Sequence, residues 1–99
     1  MMNKPYSIEE IRSKIANTAR QYGIQRAFLF GSYARGDADY ESDIDICIEK
    51  GKLRTLFELS GFCHDLEETL GNKVDVVTTV GLSPSFKDQI EKEMILIYE

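Results

Sequence analysis

From Asp43 to Glu49 the chain alternates without a break: Ile44, Ile46 and Ile48 fall on one side, Asp43, Asp45 and Cys47 on the other. That period of two is the repeat of a β-strand. A row of isoleucines needs a covering layer, so the segment calls for a sheet with helices over one face. Two helical patterns can supply the cover. Ser7 and Glu10 form a capping box just after Pro5, and Ile8, Ile11, Ile15, Ala19 and Tyr22 follow at helical spacing until Gly23. Leu53, Leu56, Phe57, Cys63, Leu66 and Leu70 mark a second amphipathic helix, closed by Gly71 and Asn72. Ile24 to Phe30 is a buried strand by length and aromatic content, and Gly31-Ser32 ends it. Tyr33 to Ser42 is a short helical turn followed by a loop, and Lys50 to Lys52 is a turn. Lys73 to Thr79 is a third strand, Ser83-Pro84 opens a short helix to about Lys92, and Met94 to Tyr98 is a fourth strand. The order α-β-(short α)-β-α-β-α-β predicts an α/β (α+β) layer fold. With 99 residues it should be a single domain spanning residues 1–99.

Composition closes off several classes. Apolar residues at 42% and charged residues at 29% exclude wholesale disorder. The longest apolar run, Met94 to Tyr98, is too short for a membrane span, and residues 1–6 offer no apolar secretory signal. Cys47 and Cys63 form no CxxC pair and suit a reducing compartment, so a cytoplasmic location is expected. The net charge of −5 is concentrated in one place. Asp37, Asp39, Glu41, Asp43, Asp45 and Glu49 fall between Gly36 and Glu49 with no basic residue among them, and the rest of the chain is close to neutral. A local excess of this kind suits a metal or a basic partner. An acidic chain without a basic stripe argues against binding long nucleic acid.

The chemistry-bearing candidates lie inside this frame. Asp43 and Asp45, two apart on a strand, share a face with their backbones about 6.6 Å apart. Asp75 sits in the β-branched run Val74-Asp75-Val76-Val77, where aspartate has poor propensity. If that strand lies beside the second, three carboxylates cluster. Two such charges at about 4 Å repel by roughly 4 kcal/mol at an effective dielectric of 20, which a hard cation such as Mg²⁺ would offset. Gly31-Ser32, at a strand end before a short helix, exposes backbone N–H groups suited to phosphate, and Arg35 follows one turn later. Each element has an ordinary alternative: an acidic edge strand, a capping aspartate, a bare turn. The Gly-Ser turn matches neither a Walker A loop nor a dinucleotide fingerprint. His64 reads as a surface helical residue, and Tyr33, Tyr40 and Tyr98 as packing residues.

The combination is more specific. Gly31-Ser-Tyr-Ala-Arg-Gly36, then Ser42-Asp-Ile-Asp45, then Asp75 in a later strand, fit the pattern G-S-x10-D-x-D with a distant aspartate. This resembles the minimal nucleotidyltransferases (MNT domains) of the DNA polymerase beta-like superfamily, over nearly the whole chain including Ile90 to Glu93 and the closing strand. The resemblance implies that superfamily's fold, a small mixed sheet of about four strands covered by helices. It implies a pair of Mg²⁺ ions between the carboxylates and ATP. Asp43 and Asp45 would hold both ions and Asp75 would complete the catalytic ion's shell. Gly31, Ser32, Arg35 and Ser42 would bind the nucleotide. It further implies an antitoxin of the HEPN–MNT type, which transfers AMP from ATP to a tyrosine of a HEPN ribonuclease toxin. A chain of this length brings no acceptor-binding domain, so the acceptor is expected to come from a partner. Two other functions fit the same residues: neutralising a partner by contact alone, and serving as the catalytic subunit of a small-molecule nucleotidyltransferase.

Overall fold

The alternating segment forms the second strand of a sheet in the computed structural model, which describes residues 5–79 and 82–99. The elements run α1 (Ile8–Gln21), β1 (Arg26–Phe30), α2 (Ser32–Arg35), β2 (Ile44–Glu49), α3 (Leu56–Leu70), β3 (Val74–Thr78), α4 (Pro84–Glu93) and β4 (Ile95–Tyr98). The order of helices and strands expected from the sequence is the one observed. The sheet has the order β3-β2-β1-β4. β2 pairs antiparallel with β1, Phe30 opposite Asp45, and parallel with β3, Asp45 opposite Asp75. β4 adds antiparallel to β1, so the fold is a mixed four-stranded sheet with helices packed on it.

The isoleucine side of β2 is the core. Ile44, Ile46 and Ile48 are fully buried together with Ile11 and Ile15 of α1 and Phe62, Leu66 and Leu70 of α3. Both covering helices begin in a capping box. The Ser7 hydroxyl accepts from the Glu10 amide at 3.1 Å while Glu10 accepts from the Ser7 amide at 2.9 Å. Thr55 and Glu58 repeat the arrangement on α3.

Two expected core residues lie elsewhere. Leu56 is 82% exposed and Phe57 91% exposed, whereas Leu53, just ahead of α3, is buried. The buried stripe of α3 is Phe62-Leu66-Leu70. At about 100° per residue, Phe57 falls on the opposite side of the helix from that stripe and Leu56 at its margin. Cys47 also departs from a simple alternation. It lies on the Asp45 side of β2 yet is 1% exposed, so that side is covered along part of its length. α4 packs at the neighbouring Phe30: Ile90 is buried, and the Phe86 ring stands edge-on to Phe30 with centroids 6.5 Å apart. Among the described residues no helix is long and apolar enough to cross a membrane.

Candidate active site

Three elements meet where β1 ends. Phe30 gives way to Gly31, whose φ of 74° lies in the left-handed region that side chains disfavour. A Cβ built on Gly31 would stand 2.2 Å from Asp45 Oδ2. Only glycine lets the Asp45 carboxylate close so tightly over the turn. The register fixes the neighbours: Asp45 faces Phe30 on one side and Asp75 on the other, and side chains at paired positions point to the same face. Asp43 stands one residue ahead of β2, half-buried, with Lys73 Nζ 4.0 Å from its Oδ2. Asp75 is exposed.

The electrostatics report the crowding. Burial pushes the Asp45 carboxyl above the usual carboxylate range, and the charges of Asp75 and then Asp43 push it further. Arg35 works in the opposite direction, and Glu93 adds to the rise. The structure therefore sets the Asp45 carboxylate within reach of the charges of both Asp75 and Asp43. Among the described residues the three aspartates do not close into a ready-made cage of three converging metal ligands. An all-oxygen, partly open set fits Mg²⁺, which keeps water and draws substrate phosphate into its shell rather than relying on the protein alone.

The turn after β1 is partly engaged and partly open. The Ser32 hydroxyl carries no hydrogen bond among the described residues, and α2's first-turn amides have no acceptor within the helix. Arg35 at its end pairs with Asp37 through Nε at 3.5 Å and with Glu93 through Nη1 at 3.4 Å. The Gly31 amide is already engaged, donating to Glu93 Oε1 at 3.1 Å. Ser42 is engaged within its loop: its hydroxyl accepts from the Asp39 amide at 2.9 Å and donates to Asp39 Oδ1 at 3.2 Å.

Two residues at the site escape the sequence pattern. Glu93 closes α4, where a carboxylate opposes the helix dipole at a cost of a few tenths to about 1 kcal/mol. That local misfit, together with its place in the Ile90 to Glu93 stretch of the resemblance, is the signal the sequence carries. Asn72 donates from Nδ2 to the Ser42 carbonyl at 3.1 Å and accepts from the Lys73 amide at 2.8 Å. It ties the loop before Asp43 to the start of β3, and in sequence it looks only like a helix stop. Tyr33 and Tyr40 line a cavity of about 350 Å³ with Tyr6 and Asn72, and none of the three aspartates lines it. His64 lies on the exposed side of α3, 3.3 Å from Glu68.

Known proteins with the same features fall into one group. The family described as "Polymerase beta, Nucleotidyltransferase" matches residues 13–99. A chain of Methanocaldococcus jannaschii named as a protein adenylyltransferase is 42% identical over 89 residues, which cover 90% of this chain and 96% of that one. The solved structure of a minimal nucleotidyltransferase superposes with a TM-score of 0.78 at 31% identity, over 94% of this chain and 98% of the other. A chain from the crystal structure of a toxin–antitoxin with AMP-PNP gives a TM-score of 0.76 at 25% identity, over 87% of this chain and 71% of that one. A family match over most of the chain and a carboxylate-lined turn at the end of β1 lead to one assignment: this chain belongs to the polymerase beta nucleotidyltransferase family and is a nucleotidyltransferase.

Proposed function

We propose that the chain, working as one domain over residues 1–99, is a protein adenylyltransferase. It moves AMP from ATP to a tyrosine hydroxyl of a HEPN ribonuclease and so acts as that toxin's antitoxin. The observation that carries this reading is the Asp45 carboxylate, set on the Gly31 turn and in register with Asp75. One side chain thereby links a phosphate-receiving turn to a carboxylate pair. The relative named as a protein adenylyltransferase and the toxin–antitoxin neighbour solved with AMP-PNP support a protein acceptor and an adenine nucleotide.

The roles follow from position. Ser32 and Arg35 hold the β- and γ-phosphates, and Gly31 allows the close approach. Asp43, Asp45 and Asp75 would hold Mg²⁺, which would neutralise phosphate charge and make the acceptor hydroxyl easier to deprotonate. The acceptor oxygen attacks the α-phosphorus in line, the bond from that phosphorus to the bridging oxygen breaks, and pyrophosphate leaves. Asp75, the exposed member of the set, takes the proton from the attacking hydroxyl. The test is Asp43→Asn: it abolishes transfer while circular dichroism and melting stay those of a folded chain. Transfer at the wild-type rate would overturn the reading.

A second reading has its own observation. Asp37, Asp39 and Glu41 stand exposed beside the site, a surface that suits contact with a basic partner. Neutralisation by contact alone requires that Asp43→Asn still silence the toxin without modifying it.

A further inference from the structure

We propose that Glu93 is a positioning residue for nucleotide binding, bracing Arg35 against the Gly31 turn. This rests on the reading that the Gly31-Ser32 turn and Arg35 receive the triphosphate. Glu93 comes from α4, an element distinct from those carrying the aspartates, yet it touches both halves of the turn. Its Oε1 accepts from the Gly31 amide at 3.1 Å, and both of its oxygens lie 3.4 Å from Arg35 Nη1. α4 is itself fixed by buried Ile90 and by the Phe86–Phe30 ring contact.

Arg35 needs such a brace. It sits at the end of a four-residue helix beside the acidic stretch that begins at Asp37, and Asp37 already contacts its Nε at 3.5 Å. Both partners of that pair are at least half exposed, at 50% and 63%, so it orders the guanidinium weakly. Glu93 is only 24% exposed and is tied down by a second bond to the Gly31 amide, which makes it the firmer anchor. Contacts at Nε and Nη1 leave Nη2 without a hydrogen bond among the described residues. That edge of the fork is free to meet phosphate. A mobile arginine would have to be ordered at the moment of binding; a braced one has that entropy already spent. Glu93 adds a negative charge near a polyanion site, but the Arg35 cation matches it at 3.4 Å, so the pair is close to neutral toward an incoming phosphate.

The experiment is calorimetric binding of AMP-PNP with Mg²⁺, which needs no acceptor protein, alongside KM and kcat for ATP. Glu93→Gln still accepts from the Gly31 amide but loses the charge that holds Arg35. It should raise the nucleotide Kd and the KM about three- to tenfold and leave kcat within about twofold. In an Arg35→Ala background the same change should do almost nothing, because Glu93 acts through Arg35. A merely structural role would weaken binding equally in both backgrounds. Wild-type or tighter binding by Glu93→Gln, with Arg35→Ala weakened, overturns the proposal and leaves the phosphate reading standing. Wild-type binding by Arg35→Ala, or no binding by the wild type, overturns both. If Glu93→Gln melts far below the wild type, Arg35→Lys carries the test. Lysine keeps the charge and lacks the fork, so it should weaken binding to a similar degree, and wild-type affinity would count against the brace.

Discussion

At the residue scale the account turns on the contact between Gly31 and Asp45. Gly31→Ala places a Cβ 2.2 Å from Asp45 Oδ2 at a φ of 74°, so either the turn or the carboxylate must move. With ψ at −152° this backbone conformation is one that only glycine adopts readily, and holding an alanine there alone costs on the order of 1–3 kcal/mol. Displacing Asp45 should also lower transfer by two decades or more, the scale of losing about 3 kcal/mol of transition-state stabilisation. A thermal melt and a transfer assay on the same sample check both parts. Asp45 gives a second prediction through its raised pKa. Its neutral form is favoured in the folded chain, so that share of stability is complete below the ordinary aspartate value and is lost as pH rises through the raised one. Asp45→Asn, neutral at every pH, should therefore melt a few degrees higher than the wild type at pH 7 in EDTA. The difference should shrink toward pH 3, and a lower melting temperature at pH 7 would contradict it. Asp43, Asp45 and Asp75 were legible in the sequence because strand alternation and an aspartate among valines announce themselves locally. Glu93 falls within the stretch that carries the resemblance, but its contact is not legible, since its partner Gly31 lies 62 residues away and no local rule connects them.

At the element scale, some signals confined to a single turn read well, whereas the equally local Thr55–Glu58 box is masked by Leu53, which extends the apolar pattern ahead of the true helix start. Ser7–Glu10 and Ser83–Pro84 were identified because a cap is written within four residues. In α3 the apolar pattern locates Leu66 and Leu70 on the buried face but errs in its first turn: hydrophobicity at Leu56 and Phe57 suggests a core contact, and only packing reveals that Phe62 takes that place. Phe57→Ser should change stability by no more than about 0.5 kcal/mol, whereas Phe62→Ala should cost about 3–5 kcal/mol. Urea titration of both separates the two faces. The α3 cap adds a pH signature. Hydrogen bonds from the Arg54 and Thr55 amides hold the Glu58 carboxyl below the usual range. Its contribution is present above the ordinary glutamate value of 4.5 and disappears as pH falls through the lowered one. Glu58→Ala should melt below the wild type at pH 7, with the gap closing in acid.

At the scale of the whole molecule, one sheet performs two tasks. Its isoleucine face holds α1 and α3, and the opposite face carries Asp45 and Asp75 to the same end. The concentration of acid in residues 37–49 follows from that division, because the segment supplies both the loop beside the turn and the carboxylates of β2. Under the proposed function the acceptor is a partner's tyrosine. The most direct measurement is intact mass of the chain and of a HEPN ribonuclease partner before and after incubation with ATP and Mg²⁺. The account predicts that the ribonuclease gains one or more AMP units and that the gain disappears with Asp43→Asn. An unchanged mass in a stable complex that still silences the ribonuclease would contradict it and leave neutralisation by contact.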